Sequence, residues 1–406
     1  MPFNDVGFFA KRKGLGGQGG VTPAPNRGLT VTPVLSNNAE TITWNIQSNM
    51  TFSPTLKYVI TNLSNTDFTD GAVEGNITLD SNGSFTLTRN LDRLANYSNS
   101  NIVFNLQLVN PESNVLLGQS SNAVVKPATP LTATGGTVTL YDNKYTIHTY
   151  STTGNSSFAV STLGDYPANL DVWAVIASGG GAGGQGFSYK ESVFGSVTNY
   201  TQYGGAGGQG GFVYEGNIKA STLNVGTVAV SVGVGASNAT LFIAGNSSFA
   251  NIVPTGTTTA GDRATFEISS PYNRLESAGG GGRGATTDGL DGVASSITNV
   301  RGGQGGQGLT TLITGSSLTL GCGGGGGGPD SGGLAGCSGA GNGGSTASPY
   351  NGANASVNTG GGGGGGGPPA LGSIPDNTTV YSDGGNGGSG IVIVRYLSRY
   401  RNMALT

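Results

Sequence analysis

Charged residues are scarce in this sequence. Of its 406 residues only 10% are Asp, Glu, Lys or Arg, and the formal net charge is −3. A charge this small gives no whole-protein field that attracts nucleic acid or an anionic membrane surface. It also argues against ordinary disorder, which usually comes with high net charge. We therefore expect a folded protein that has no nucleic-acid partner.

Histidine is almost absent. His148 is the only one, and it lies on a predicted strand. A Ser-His-Asp or Cys-His mechanism would have to use that residue, and no nucleophile motif surrounds any serine. We interpret His148 as structural and predict that the protein is not an enzyme. A phosphate-binding glycine loop needs a helix after it, and the sequence predicts none, so we expect no cofactor.

Cysteines and long apolar runs are also few. Cys322 and Cys337 lack CxxC spacing, so we expect no metal site, and whether they pair is left open. No run of about 18 apolar residues exists, which excludes a membrane-spanning helix. The first residues lack the cationic start and apolar stretch of a secretory signal peptide.

Glycine is what the sequence has in excess. There are 77 glycines, 62 of them after Ser178, and residues 360–367 are glycine throughout. Each glycine loses backbone freedom on folding, at a cost of about 0.5–1 kcal/mol relative to Ala. The region is therefore either a linker or a structure packed so closely that only glycine fits. Apolar pieces at 227–234 and 391–396 favour packing, because a linker has no reason to carry them.

Extended glycine segments offer a way to pack. Polyglycine forms a helix with three residues per turn, a rise of about 3.1 Å and no internal hydrogen bonds. Segments lying side by side can satisfy each other's backbone groups. We predict stacked polyglycine II helices between residues 179 and 390.

The remaining segments have the alternation of short strands. Ile42, Trp44 and Ile46 alternate with polar residues, the run 102–109 alternates in the same way, and such strands recur across residues 28–126. Hairpin turns are predicted at 81–83 and 142–144. The fold class expected is all-β. Its predicted parts are an extended N-terminal attachment arm (1–27), an immunoglobulin-like β-sandwich (28–126), a linker (127–132), a glycine-rich β domain (133–397) and a basic C-terminal tail (398–406).

Two sequence segments frame the glycine-rich region. DVWAVIASGGG at 171–181 predicts a buried strand that leads into glycine, and GGSGIVIVRY at 387–396 predicts the closing strand. Their succession resembles the glycine-rich domain of bacteriophage tail fibres and other virion proteins, over about two-thirds of the chain. The resemblance implies a virion location after assembly in the host cytoplasm. It also implies other virion proteins as partners and a homo-oligomer, with a trimer possible.

Aromatic residues supply the candidate contact sites, because tyrosine is enriched at interfaces. Receptor contact, self-assembly and packing within the domain are all open for them. The candidates for receptor or subunit contact are Phe187, Tyr189, Phe194, Tyr200, Tyr203, Tyr350 and Tyr381. The candidates for virion attachment, in an arm that could equally be a floppy tail, are Phe8, Phe9, Lys11, Arg12 and Lys13.

The function expected is that of a tail fibre or spike-like surface protein. It attaches by the N-terminal arm and contributes to binding of a host-cell receptor through loops of the glycine-rich domain, above all the segment 187–203, without inserting into the membrane. The alternative is a capsid fibre, decoration or connector protein with a purely structural role, and a cell-surface adhesin is a third candidate. The basic tail is either solvated or docked on an acidic partner.

Overall fold

A computed structural model describes residues 28–406 except 38, 50–53, 95–99, 166–170, 194–195, 238–243, 257–260, 269–272, 297 and 348. The expected attachment arm and its five candidate residues lie outside the described residues. The chain divides into an N-terminal unit, Met1–Thr129 with Arg399–Thr406, and a glycine-rich unit, Pro130–Ser398. The first boundary falls within the predicted linker.

The regular elements are strands, and they confirm the all-β fold class. The N-terminal part contains β1 Leu29–Leu35, β2 Thr41–Ser48, β3 Thr55–Ile60, β4 Glu74–Thr78, β5 Ser84–Asn90, β6 Ile102–Phe104, β7 Leu106–Val109, β8 Leu116–Gln119 and β9 Ala123–Pro127. The glycine-rich unit contains β10 Thr132–Thr134, β11 Thr137–Tyr141, β12 Tyr145–Tyr150, β13 Gly154–Thr162, β14 Asp171–Ala177, β15 Gly186–Val193, β16 Ser196–Tyr203, β17 Val213–Lys219, β18 Gly226–Val232, β19 Ser248–Phe249, β20 Ala264–Ile268, β21 Asn273–Ala278, β22 Val293–Ser296, β23 Asn299–Arg301, β24 Leu309–Thr311, β25 Leu318–Leu320, β26 Thr378–Ser382 and β27 Ile391–Leu397. A last strand, β28 Arg401–Leu405, returns to the N-terminal unit.

Short 3-10 turns are the helical elements of the described residues, at Asn65–Asp67, Ala220–Thr222 and Leu371–Ser373. None of the described helices is long and apolar enough to cross a membrane.

The N-terminal unit encloses one hydrophobic core. Its sheets are ordered β1-β2-β5, β4-β3-β7-β8 and β28-β9-β6. The alternation predicted for β2 is present, with Ile42, Trp44 and Ile46 buried in that core. The Trp44 ring meets Phe104 edge to face at 6.4 Å, which joins side chains from two of the sheets.

For two segments of this unit, the sequence predicts the wrong strand pairing. The turn at 81–83 forms, closed by Gly83 N–H donating to Asp80 O, but β4 pairs with β3 and β5 with β2. The alternating run 102–109 is likewise two strands in two sheets. It changes sheets at Asn105, whose N–H donates to Thr61 Oγ1. Apolar alternation does not say which of two facing sheets a strand joins.

The C-terminal segment is a strand of the core rather than a separate basic tail. In β28, Met403 is opposite Val125 of β9 and packs into the core. Arg401 is buried and its Nη1 lies 2.7 Å from Asp67 Oδ1. Burial alone raises the pKa of Asp67, but hydrogen bonds from Ser64 and Arg401 outweigh it and hold that pKa below its usual value.

The glycine-rich unit is built on a central sheet of order β11-β12-β27-β14-β17. The strand predicted at 171–177 is β14, and its neighbour β27 is the predicted closing strand, with Val175 opposite Ile393. Ile313 and Leu320 pack on one face of these strands. Because both faces are covered, β27 is an almost continuous apolar run. The predicted hairpin at 142–144 is confirmed, since Tyr141 pairs with Tyr145.

His148 lies in an aromatic cluster on the other face of the central sheet. Its ring stacks on Tyr396 at 5.6 Å and meets Phe158 edge to face at 5.0 Å. Nδ1 donates to the Gly135 carbonyl at 2.7 Å, which leaves Nε2 to accept from the Tyr396 hydroxyl at 3.2 Å. Burial, against the hydrogen bond to Gly135, lowers the pKa of His148, so the neutral ring is favoured.

Between the strands, glycine-rich segments pack into what we call the glycine layer. Its main segments are 178–185, 204–211, 279–285, 302–308, 322–328, 339–345, 350–356, 360–367 and 383–390. They lie outside the strand ladders and bond to one another through backbone groups. The polar backbone of the layer is thereby satisfied within the protein.

The run 360–367 shows how this bonding repeats. N–H groups three residues apart donate to one neighbour, as when Gly362 donates to Cys322 O and Gly365 to Gly325 O. The N–H groups between them donate to two other neighbours, and the carbonyls accept from three more. The six surrounding segments are 322–325, 181–184, 350–353, 205–211, 385–388 and 341–344. The run is therefore surrounded by backbone on all sides.

Side chains cannot enter the interior of this layer. A Cβ on Gly363 would stand 2.0 Å from Gly385 O, and one on Gly364 1.8 Å from Asn342 O. Real Cβ atoms do not approach backbone so closely. Cys322 and Cys337, whose pairing the sequence left open, form a disulfide that joins two stretches of this region.

Candidate functional site: an aromatic sheet face at the end of the glycine layer

The glycine layer connects two sheets of the same unit. Segment 178–185 runs from β14 to β15, segment 204–211 from β16 to β17, and segment 383–390 from β26 to β27. Strands β15, β16 and β26 belong to a sheet of order β20-β21-β16-β15-β26, which we call the aromatic sheet. Eight extended residues span about 25 Å, so this sheet lies at the far end of the layer from the central sheet.

Cross-strand register brings three predicted contact residues together. Phe187 of β15 is opposite both Tyr203 of β16 and Tyr381 of β26. Phe187 and Tyr203 stack at 4.6 Å between ring centroids, and Tyr381 is tilted at 6.0 Å from Phe187. Tyr381 remains 63% exposed. We call these three rings the aromatic face.

Two further residues border the aromatic face. Tyr189 is two residues from Phe187 on β15, so it lies on the same side of the sheet, and it is half-buried. The guanidinium of Arg263 lies 5.1 Å from the Tyr203 ring centre, within cation–π range. Sequence reasoning missed Arg263, because nothing in its neighbourhood marks it as adjacent to a tyrosine 60 residues earlier in the chain.

The other side of the aromatic sheet is anchored to the glycine layer. Ser188 Oγ and Gln202 Nε2 both donate to Pro369 O, at 2.6 and 3.3 Å. Pro369 is the second residue after the 360–367 run, so the sheet is held next to the end of the most enclosed segment. This attachment fixes the position of the aromatic face by buried hydrogen bonds.

Tyr200 lies on this inner side and not with the aromatic face. Arg274 is 4.9 Å from the Tyr200 ring centre and forms an ion pair with the buried Glu276. Burial raises the pKa of Glu276, and the hydrogen bond and charge of Arg274 act against that rise. These contacts give Tyr200 a packing role.

The remaining predicted contact residues are elsewhere. Tyr350 is part of the glycine layer, where its carbonyl accepts from Gly367 N–H at 2.7 Å, and no ring contact in the described residues joins it to the aromatic face. Phe194 lies outside the described residues. The segment 187–203, expected to be a loop, is a β-hairpin formed by β15 and β16.

The aromatic face has the features of a binding surface. Stacked rings with phenol hydroxyls offer rigid area with polar tips, and a cation adds charge at the edge. Within the described residues, no three or more His, Cys, Asp or Glu side chains are grouped as a metal site requires.

Comparison with known proteins gives one match. A family model described as a glycine-rich domain covers residues 151–397, which is more than half of the chain. Neither the curated proteins nor the solved structures contain a match to the sequence. The matched range includes β14, the whole glycine layer, the aromatic sheet and β27. The chain therefore belongs to the glycine-rich domain family.

Proposed function

We propose that this protein is a bacteriophage virion protein of the tail-fibre or spike type that contacts a host-cell receptor. The observation that carries the proposal is the aromatic face at one end of the glycine layer. Membership in the glycine-rich family supports it, as does the order of strand, glycine segments and closing strand. In this proposal the N-terminal arm attaches the protein to other virion proteins.

The proposal treats the glycine layer as stacked polyglycine II helices. Two observations support this: hydrogen bonding recurs every third residue, and the 360–367 run has six backbone neighbours. A three-residue helix repeats its contacts with that period. Such a stack has little freedom to bend, because each segment is bonded on several sides. It would hold the aromatic face rigidly for binding.

The N-terminal unit is proposed to be an immunoglobulin-like spacer module. Its support is the set of short, antiparallel sheets around a shared core, with alternating buried residues. A spacer module has to be stable but needs no binding surface. The buried ion pair of Arg401 and Asp67 lies inside this unit.

Cell binding tests this function directly. The purified full chain should bind host cells and compete with virions for adsorption. Tyr381→Ala and Tyr203→Ala should each weaken binding about tenfold, as interface tyrosines do when truncated. Tyr141→Ala, on an exposed tyrosine of the central sheet, should leave binding unchanged. Equal binding by all three variants would rule out the aromatic face, and no binding by the unmodified chain would oppose the receptor role.

A purely structural role as a capsid fibre, decoration or connector is the second candidate. One observation favours it: the edge strand β11 exposes Val138 and Leu140, at 52% and 49%, beside Tyr141. Apolar edge strands pair readily with another chain, here a second copy in a homo-oligomer. Cryo-electron microscopy of labelled particles separates the two functions. Density for the label on the head would favour the capsid role, and density on the tail would favour the tail-fibre role.

A further inference from the structure

A groove of about 540 Å³ lies on the outer surface of the glycine layer, away from the residues of the aromatic face. Two neighbouring segments, 178–184 and 206–211, form its floor, and Ala244 and Asn246 line it from a third. Its volume is within the range of small-ligand sites. No residue of the aromatic face lines it.

The floor of the groove presents bare backbone. Gly181 and Gly184 donate to the carbonyls of Gln209 and Ala206, each at 2.7 Å. The N–H groups of Ala206 and Gln209 themselves donate to no acceptor in the part of the chain that the structure describes. Because Gly181 and Gly184 have no side chains, a flat ligand can approach these free donors closely.

Arg283 supplies the charge at the end of the groove. Its side chain is only 9% exposed, and its guanidinium lies 3.5 Å from the Phe212 ring centre. Nε donates to Gln209 Oε1 at 3.1 Å, whereas Nη1 is buried and has no hydrogen-bond partner among the described residues.

Among the described residues, no carboxylate pairs with this cation. None of their ion pairs includes Arg283, and of the described residues that line the groove Arg283 alone has an ionisable side chain. Burial lowers its pKa, and no neighbouring charge acts against that effect. A buried charge without an opposite charge beside it is unfavourable, so an anionic ligand would be favoured here.

We propose that this groove binds an acidic sugar, with its carboxylate at Arg283 and its hydroxyls on the floor. A guanidinium and a carboxylate match as a planar, charge-assisted pair. The amides of Gln209 and Asn246 can donate to and accept from sugar hydroxyls, and the free N–H groups add donors. The glycine floor accommodates the flat face of a sugar ring. This site does not depend on the proposed receptor function of the aromatic face.

Titration of the purified full chain tests the ligand class. Glucuronate and galacturonate are compared with glucose, galactose and acetate by saturation-transfer NMR and calorimetry at pH 7. The uronates should bind at least about tenfold more tightly than the neutral sugars or acetate, because only they offer both charge and hydroxyls. Absence of uronate binding would overturn the proposal. So would equal binding of acetate or glucose, or tighter binding of a short acidic peptide.

Variants of the groove test whether the uronate binds there. Gln209→Glu puts a carboxylate next to Arg283 Nε, so it should abolish uronate binding and raise the melting temperature. Ala206→Glu adds a repelling charge at an exposed floor position and should weaken binding about tenfold. The matched control is Arg263→Gln at the aromatic face, which should leave uronate binding unchanged. Unaltered binding by both groove variants, or loss in the control, would contradict the assignment.

Discussion

At the scale of single residues, the glycines of the glycine-rich unit differ sharply in how much space surrounds them. Gly363 is enclosed by backbone, so a methyl group there would collide with Gly385 O. Gly372, in a short 3-10 turn, has nothing within 4 Å of the position of a Cβ. Close packing therefore requires glycine at position 363, whereas the space around position 372 would accept a side chain.

Alanine substitution separates these two roles. Gly363→Ala should cost about 3 kcal/mol or more of unfolding free energy, because the backbone segments must move apart. Gly372→Ala should be neutral or slightly stabilising, since alanine restricts the unfolded chain. Urea unfolding of both variants measures the difference. Similar small effects for the two would show that the layer is not closely packed.

The ion pair of Asp67 and Arg401 gives the N-terminal unit a pH dependence. The folded pKa of Asp67 lies below its unfolded value of 3.8. Ionised Asp67 therefore stabilises the fold fully above that value, and the contribution is lost as the pH falls through the folded pKa. Asp67→Asn should lower the free energy of unfolding at pH 7 by about 3–5 kcal/mol. It should also make the decrease of that free energy with falling pH smaller than in the unmodified protein. Urea unfolding from pH 2 to 7, followed by Trp44 fluorescence in a Trp173→Phe background, tests this prediction. If the variant lost as much stability between pH 7 and pH 2 as the unmodified protein, the prediction would be wrong.

At the scale of elements, the sequence determines strands better than their partners. β14 and β27 are recognisable because apolar residues run without interruption and glycine marks their ends. The turn at 142–144 is recognisable because Asp142 and Asn143 tolerate the positive φ angles that they adopt, 51° and 53°. The pairing of β4 and β5 in separate sheets depends on side chains that meet across the core, which no local pattern contains.

The candidate site shows the same limit. Aromatic residues at alternate positions on β15 indicate a surface, but their grouping with Tyr381 requires β26, which begins 185 residues after the end of β15. The groove beside Arg283 is harder still to anticipate, since its floor is backbone and carries no side-chain signal.

β28 should be essential for the N-terminal unit. Deletion of residues 399–406 removes Met403 from the core and leaves Asp67 without its cation. We expect the N-terminal unit to unfold in the truncated chain, while the β14 and β27 amides of the glycine-rich unit keep their protection. Hydrogen exchange measured by mass spectrometry tests both expectations. Full protection of β2 in the truncated chain would mean that β28 is dispensable.

At the scale of the whole molecule, the glycine-rich region is a packed structure rather than a linker. Few charges contribute to it, and its polar backbone groups bond mainly to each other. Its rigidity should therefore respond weakly to salt, because screening acts on exposed charges. The proposed functions of both surfaces, the aromatic face and the groove, depend on this rigidity.

Amide exchange in the glycine runs tests this packing. Peptides that cover residues 323–328 and 360–367 should exchange as slowly as the buried strands β14 and β27, because their N–H groups are bonded inside the layer. Complete exchange of those peptides within seconds, while β14 and β27 stay protected, would show a flexible linker and contradict a packed glycine layer.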